Sequence, residues 1–489
     1  MFAAFDNFPA LLIWLPLAGG LLSFFIKSAT GARTTALITS ILVLGVVAVS
    51  LCYTESKYFM LNQVSYVWLP NMGSSFGLIL DGLTRLMCLL TALIFPVVFM
   101  MVAADRYENA NRFYALMLLT QCGLMGVFMA TDALVFYLFW ELALIPVYFL
   151  CSIWGGERRI KATFKFFIYT FLGSLFLLVA ILYMHLKTST TSFSLVAFYN
   201  VQLSQSEQYW LFFMFFAAFA IKMPLFPLHT WQPDAYEQSP TPVTMVLSGV
   251  MVKMGLFGVL RWLLPLFPMA VKHFNTAIVI TIVIGMIYAS LIAIRQDNIK
   301  RLIAYSSIAH IGLMAAGIFT LKDVAMQGLV LQMFNHGINI VALWVVADII
   351  EKQTGTTSMA ALGGIAKRAP MLAIFGVIAA FANIALPLTN AFVGEFMIFN
   401  GLYQFKPLIA ALAGISIILS AVYTLNMVKN VFFGTLASSA EKVSDISKGQ
   451  VFVLASLAVL IFAVGIYPAP FFKMIYETVG LIVNRFVTI

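Results

Sequence analysis

Residues 208–228 read QYWLFFMFFAAFAIKMPLFPL, and this segment carries the features that predict the fold. An α-helix needs about 20 consecutive, predominantly apolar residues to cross a bilayer, and the segment is long and apolar enough. It also contains one charge, Lys222, followed by Pro224 and Pro227, which interrupt helical hydrogen bonding. Inside a membrane such a break is tolerated only where protein or water satisfies the freed backbone groups. The segment therefore predicts a membrane-spanning helix that is broken beside a buried lysine.

The composition of the whole 489-residue chain agrees with that interpretation. Hydrophobic residues make up 62% of the chain, charged residues only 10%, and the mean hydropathy is +0.99. A soluble globule carries about 25% charged residues, so we predict an all-α polytopic membrane protein without a large soluble domain. The net charge of +9 is scattered over short loops, which argues against a nucleic-acid partner.

Apolar segments of similar length occur on both sides of residues 208–228 and predict about 14 transmembrane helices in total. They span residues 8–26, 33–53, 77–104, 112–130, 132–153, 162–186, 242–267, 274–294, 299–318, 324–349, 370–404, 406–434 and 450–468. Loops after odd-numbered spans carry about 17 Lys and Arg, against about 6 in the other loops, so we expect the odd loops in the cytoplasm and both termini outside. The first span lacks a basic n-region and a cleavage site and is expected to be retained. The apolar tail from Pro468 is expected to lie along the interface.

A second interruption, Leu386-Pro387-Leu388-Thr389-Asn390, falls in the predicted span 370–404. This is the twelfth span, and it comes five spans after the seventh, 208–228, which contains the first interruption. Five is an odd number, so a unit of spans 4–8 repeated as spans 9–13 must have the opposite orientation. This predicts the inverted-repeat plan of many transporters. The alternative is that prolines are simply common in membrane helices. The predicted segments are residues 1–111 (three N-terminal helices), 112–267 (first five-helix repeat), 268–434 (second, inverted repeat) and 435–489 (last span and tail).

A charge near the centre of a span costs about 2.5–3.5 kcal/mol, so function is the default hypothesis for six of the ionisable residues in the predicted spans. They are Glu141, Lys222, Lys253, His310, His336 and Glu395. Burial disfavours a charged lysine and a nearby carboxylate favours it, so a pair such as Glu141 and Lys222 can be switched. A histidine titrates near neutral pH and can relay protons between such groups. The alternatives are static ion pairs and core histidines with satisfied hydrogen bonds, in a non-conducting scaffold.

The cysteines occur singly in apolar stretches and are predicted to be small core residues. They are Cys52, Cys88, Cys122 and Cys151. We find no nucleotide, flavin, iron–sulfur or zinc motif, so any redox chemistry is assigned to partner proteins.

Other acidic residues lie in positions that suggest structural roles. Asp81 and Arg85 are one helical turn apart and predict an ion pair. Asp132, Asp234 and Glu237 lie near span ends and are expected to be solvated or to cap helices.

Four stretches resemble the antiporter-like proton-pumping subunits of respiratory complex I, and the similarity extends over nearly the whole chain. They are Phe139-Trp140-Glu141-Leu142, the block from Lys222 to Ala235, Arg301-Leu302-Ile303-Ala304-Tyr305-Ser306-Ser307, and Asn335-His336-Gly337. The block from Lys222 to Ala235 is specific to a superfamily that also includes subunits of Mrp-type cation/proton antiporters and membrane-bound hydrogenases. Glu395 narrows the resemblance to the M-type subunits, the counterparts of mitochondrial subunit 4, because the L and N types have lysine there.

The resemblance implies a role for each candidate residue. Glu141 and Lys222 would form a modulating pair, and Lys253 would be the central relay. His310 and His336 would line a hydrated axis, and Glu395 would be the terminal exit group. One departure is visible at residues 385–391, where the sequence ALPLTNA replaces a glycine-richer run, so the geometry of that break is the less predictable one.

The resemblance also implies the setting of the protein. It would be a membrane-arm subunit of NADH-quinone oxidoreductase in the bacterial inner membrane, moving protons from the cytoplasm outward with energy from quinone reduction. NADH, FMN, iron–sulfur clusters and quinone would be bound by other subunits, with no metal or cofactor on this chain. L-like and N-like subunits would lie on either side, with lipids around them. The alternatives are a subunit of an Mrp-type antiporter or of a membrane-bound hydrogenase.

Overall fold

The structure is a computed structural model that describes residues 7–54, 60–104 and 106–487. Within these ranges twelve helices are long and apolar enough to cross a membrane, which confirms the predicted all-α membrane class. In chain order the α-helices are α1 (Phe8–Phe25), α2 (Ala29–Ser50), α3 (Gly82–Met101), α4 (Ala110–Met129), α5 (Ala133–Trp154), α6 (Arg159–Lys187), α7 (Leu195–Tyr199), α8 (Gln205–Lys222), α9 (Trp231–Gln238), α10 (Thr241–Val246), α11 (Lys253–Gly258), α12 (Leu264–Leu266), α13 (Pro268–Ile294), α14 (Ile299–Phe319), α15 (Asp323–Thr354), α16 (Pro370–Asn383), α17 (Asn390–Phe405), α18 (Pro407–Phe432), α19 (Lys448–Ile466) and α20 (Ala469–Val487). The count of about 14 spans and the inverted repeat stay predictions.

The described residues group into two compact units. One unit comprises the described parts of Met1–Lys222 and Gly480–Ile489 together with Val250–His273. The other comprises Met223–Gly249 and Phe274–Val479. The first break in a predicted span coincides with the boundary at Lys222.

A short β-hairpin adds to the predicted helical architecture in the first unit. Strands β1 (Gln63–Leu69) and β2 (Ser74–Ile79) pair antiparallel, in a register that sets Gln63 opposite Ile79. The β-branched and aromatic residues of β1 suit a strand. Gly73 closes the turn with φ 67°, where an added Cβ would lie 1.7 Å from a backbone oxygen of Thr191, so only glycine fits there. The predicted third span consequently begins later than expected, at α3.

Both predicted interruptions are present. α8 ends at Lys222 and α9 begins at Trp231, whereas α16 ends at Asn383 and α17 begins at Asn390. In the second break Ala385 has φ 58° and Leu388 has φ 75°. The left-handed region costs an L-residue about 1–2 kcal/mol, so this break is strained where the sequence lacks the glycines of a relaxed turn.

Two amides of α15 satisfy backbone carbonyls at the second break. Asn335 Nδ2 donates to the carbonyl oxygen of Asn390 at 2.8 Å, and Asn339 Nδ2 donates to that of Ala382 at 3.1 Å. The two asparagines are four residues apart and lie on one helical face. They supply the partners that a broken backbone needs inside a membrane.

The structure corrects the predicted pairing of Asp81 with Arg85. Asp81 caps α3 by accepting from the backbone N–H of Thr84 at 3.0 Å, and its carboxylate also binds Arg261. Arg85 donates to Asn62 Oδ1 at 2.9 Å. The cap holds the carboxylate at the helix start, where the guanidinium of Arg261 reaches it.

The predictions for the other acidic residues and for the cysteines are confirmed only in part. Asp132 caps α5, accepting from the backbone N–H groups of Leu134 and Val135, as predicted. Asp234 and Glu237 instead form ion pairs with Arg301, which are described below. Three cysteines are buried, but Cys52 is exposed, so its assignment to the core was wrong. The tail forms α20, and its position along the interface stays a prediction.

Candidate functional site

The structure divides the six predicted residues between the two units. Glu141, Lys222 and Lys253 belong to the first unit, and the two histidines and Glu395 belong to the second. Lys222 is 2% exposed, Lys253 0% and Glu395 4%, so the burial predicted for these charged residues is confirmed. Each of these side chains is thus removed from solvent, in surroundings where interactions between charges are stronger than in water.

Lys222 is the last residue of α8, and its ammonium lies over the indole ring of Trp140, 5.4 Å from the ring centroid. Trp140 precedes Glu141 on α5, so the ring that Lys222 contacts is next to the carboxylate in sequence. No ion pair joins the two in the described parts of the chain: Lys222 Nζ and Glu141 Oε1 both lack a protein hydrogen-bond partner there. Glu141 instead accepts a hydrogen bond from Tyr137. The expected direct contact of Glu141 with Lys222 is thus not present, and the ammonium of Lys222 contacts the Trp140 ring instead.

Lys253 opens α11 within the span Thr241–Leu266, which is buried at every position except Arg261. Stretches of π-helix at Leu247–Met251 and Val259–Leu263 flank α11. Such π-helical turns are rare and occur frequently at functional sites. On the same span Gly258 allows close packing, because an added Cβ would lie 2.5 Å from the ring of Phe219.

In the second unit a buried carboxylate is held by two side chains. His310 Nδ1 lies 2.9 Å from Glu395 Oε1, and Gln332 Nε2 donates to the same oxygen at 3.1 Å. The His336 ring is next to that of His310, with centroids 5.9 Å apart. α14, α15 and α17 therefore bring three of the predicted residues into one cluster, together with Gln332, which sequence reasoning missed.

A small polar cavity borders this cluster. It has a volume of about 10 Å³, which is about enough for one water molecule. The side chains that line it include His310, Glu395, Ser416, Ser420 and Tyr423. A proton on the carboxylate or the imidazole can therefore be passed to water or hydroxyl groups without leaving the protein interior.

Polar side chains continue from the cavity. Tyr423 donates to Ser306 Oγ at 3.1 Å, and Asn383 Nδ2 donates to the same oxygen at 2.9 Å. Ser416 and Ser290 share a hydrogen bond of 3.1 Å. This network connects the Glu395 cluster with the end of α16 at the second break.

Sequence reasoning missed several members of this network. Gln332 and Asn339 lie at helical spacing on either side of Asn335, which is in the quoted stretch Asn335-His336-Gly337, and the three form a polar face that could have been recognised. Ser306 lies within the quoted stretch from Arg301 to Ser307. Tyr423 had no comparable signal, because one tyrosine in an apolar span predicts nothing specific.

Arg301 connects two of the quoted stretches, the one from Arg301 to Ser307 and the block from Lys222 to Ala235. Arg301 Nη1 donates to Asp234 Oδ1 at 3.0 Å and to Glu237 Oε2 at 2.9 Å. Asn298, which caps α14, also donates to Glu237. These charges anchor the start of α14 to α9. Within the described residues no three His, Cys, Asp or Glu side chains are grouped so that they could hold a metal ion.

Broken helices, buried lysines and a buried carboxylate–histidine cluster define a class of ion-translocating membrane subunit. A profile of the family described as NADH:quinone oxidoreductase/Mrp antiporter, TM, matches residues 130–420. Since the match covers more than half of the sequence, the chain belongs to this family.

The names of individual proteins that are similar to this chain are more specific than the description of the family. The chain is 37% identical over 428 residues to NADH-quinone oxidoreductase subunit M of Rhodobacter capsulatus, covering 85% of this chain and 83% of the relative. It is 35% identical over 438 residues to subunit M of Escherichia coli (strain K12), covering 87% and 86%. Among solved structures it is similar to a chain of respiratory complex I from Thermus thermophilus with bound NADH, with a TM-score of 0.89, 29% identity and coverage of 97% and 99%. The resemblance to complex I membrane subunits is thus confirmed.

Proposed function

We propose that this chain is the M-type membrane-arm subunit of a proton-translocating NADH-quinone oxidoreductase. The observation that carries the proposal is the buried contact of His310 with Glu395, at 2.9 Å beside a polar cavity. Relatives named subunit M, which match over most of their length, support the same assignment. A carboxylate and an imidazole at this distance can exchange a proton directly, since the transfer is along an existing hydrogen bond.

The proposed path begins on the cytoplasmic side near the first break. Lys222 receives a proton there, and a negative charge on Glu141 would stabilise the protonated form. A change in that electrostatic coupling, or in the hydration around Trp140, releases the proton to Lys253. Burial makes both lysines poor at holding charge by themselves, so a small change in surroundings shifts the proton between them.

In the second half of the path, the proton passes through the His310 and His336 region to Glu395 and leaves on the outer side. Gln332 and His310 both contact Oε1 of Glu395 and so orient it when it is charged. Protonation of Glu395 removes that charge and weakens both contacts, which frees the proton to move on.

We assign the energy source to other subunits of the complex. NADH, FMN, iron–sulfur clusters and quinone would be bound there, with L-like and N-like subunits on either side of this chain. Quinone reduction would act through conformational and electrostatic changes at Glu141 and Lys222. In this arrangement the protein lies in the bacterial inner membrane with both termini on the outer side.

The test compares Glu395→Gln with the exposed control Glu441→Gln in membrane vesicles that contain the intact complex. Proton uptake and NADH oxidation are measured together. We expect Glu395→Gln to suppress NADH-driven proton uptake, because an amide cannot carry the proton, and Glu441→Gln to behave as the parent. Full proton uptake by Glu395→Gln, in complexes assembled at the parent level, would reject the path.

The family description also names Mrp antiporters, which motivates a second candidate function. In that case the same buried groups would exchange sodium or potassium for protons. Sodium flux that continues without NADH would favour this function, and its absence would favour the first.

A further inference from the structure

The second unit contains an open pocket of about 730 Å³ that none of the proposed proton-transfer steps uses. We call it the basic pocket. It lies beside the C-terminal ends of α13 and α18, and its lining includes Arg295, Asp297, Asn426, Lys429 and Asn430. These residues belong to the loops and helix ends rich in Lys and Arg, which the positive-inside rule assigns to the cytoplasmic surface.

The charge of the basic pocket is only partly neutralised from within, because two cations and one carboxylate, Asp297, line it. In the chain as described, no carboxylate binds Arg295 or Lys429. The pocket's carboxylate, Asp297, is used by the neighbouring loop, where it accepts from the hydroxyl of Ser358 and from the backbone N–H of Ala360. Two cations therefore face the opening with no anion committed to them.

An apolar groove of about 520 Å³ adjoins the basic pocket along α13. Tyr288, Leu291 and Ile292 line it, and Ile294 and Arg295 line both the groove and the pocket. Leu291 is 52% exposed and Tyr288 40% exposed. An apolar surface on the bilayer side thus continues into a cationic surface at the membrane boundary.

We propose that one anionic phospholipid occupies this combined site. Its phosphate lies in the basic pocket between Arg295 and Lys429, and an acyl chain follows the apolar groove along α13. The chemistry requires both parts: a soluble anion would leave the apolar groove uncovered, and a zwitterionic lipid would add a positive group beside two cations. A lysine or arginine near a membrane surface favours an anionic lipid by about fivefold, so the two cations together favour it by roughly 25-fold.

The site lies close to the proposed proton path without forming part of it. Tyr423 lines both the basic pocket and the small cavity next to Glu395, and it is 1% exposed. A headgroup in the basic pocket would therefore share Tyr423 with the Glu395 cavity as a lining residue. The proposed lipid site does not depend on the direction or existence of proton transfer.

Photochemical labelling of the intact complex tests the proposal. Complexes are placed in phosphatidylcholine vesicles that contain a trace of phosphatidylglycerol with a photoactivatable group at the end of one acyl chain. After illumination, mass spectrometry quantifies label on peptides containing Tyr288–Ile294. The parallel sample uses a phosphatidylcholine probe with the same acyl chain.

The decisive variant is Arg295→Gln with Lys429→Gln, and its matched control is Lys442→Gln with Lys448→Gln. The control removes two exposed positive charges, one in the loop between α18 and α19 and one at the first residue of α19, and both lie outside the pocket and the groove. We expect strong phosphatidylglycerol labelling in the parent and the control, and a loss of roughly 25-fold in the decisive variant.

Three results would overturn the proposal. The phosphatidylcholine probe could label the same peptides equally, or the decisive variant could retain full labelling, which would leave the two cations with the role of stabilising helix C-termini. The third is that neither lipid probe labels these peptides in the intact complex, which would indicate that another subunit covers this face.

Discussion

Replacing Gly465 with alanine should disable the Glu395 cluster from a distance. Gly465 lies on α19 where that helix passes the second break. A Cβ added there would lie 2.2 Å from the carbonyl oxygen of Leu388, 2.5 Å from the carbonyl carbon of Thr389 and 2.8 Å from the nitrogen of Asn390. All three atoms are backbone, so no side chain can rotate away.

The size of the effect follows from these distances. Ordinary contact begins at 3.4 Å, so the break must move by about 1.2 Å to accept the methyl group. Asn390 begins α17, and Glu395 is on its second turn. A shift of that size lengthens the 2.9 Å contact of Glu395 with His310 beyond hydrogen-bond range. Misplacement by about 1 Å can cost about 100-fold in rate, so we expect proton pumping to fall by one to two orders of magnitude.

Gly449 provides a matched control on the same helix, because an added Cβ there would meet nothing within 4 Å. Both variants are assembled into the complex, the amount of subunit is measured, and NADH-driven proton uptake is recorded in inverted membrane vesicles. Gly449→Ala should pump as the parent does. If Gly465→Ala assembles and pumps as well as Gly449→Ala, then the position of the break does not control the Glu395 cluster and the reasoning is wrong.

Three further substitutions test other parts of the structure. Lys253→Met keeps the size of a fully buried side chain but removes its proton, so pumping should be lost while assembly persists; unchanged turnover would instead support a non-conducting scaffold. Asn335→Leu leaves the carbonyl of Asn390 without its amide, which should destabilise the subunit by about 1–3 kcal/mol and shorten the half-life of heat inactivation, whereas exposed Asn400→Leu should not. Ala385→Gly removes the strain of a positive φ of 58° and should raise the free energy of unfolding by up to about 1 kcal/mol, which lengthens the half-life of heat inactivation. A shorter half-life would contradict the strain argument.

Much of the site's content could be predicted because lipid imposes strong local constraints on a sequence. A charge such as Lys222 or Glu395 within an apolar span is conspicuous in the linear chain, and so are the prolines that break spans 7 and 12. The contacts of these groups could not be predicted in the same way. Glu395 meets Gln332 and His310, which are 63 and 85 positions earlier, and nothing in the local pattern specifies which faces of α14, α15 and α17 are turned together.

The sequence by itself determined the membrane class, the positions of the two breaks and the identity of the buried titratable groups, because each depends on the cost of exposing backbone or charge to lipid at one point in the chain. Only the tertiary structure decided that Lys222 lies over Trp140 without touching Glu141, that Asp81 binds Arg261 instead of Arg85, and that asparagines of α15 satisfy the second break. These outcomes depend on helix rotation and packing, which arise from many weak contacts between residues far apart in sequence.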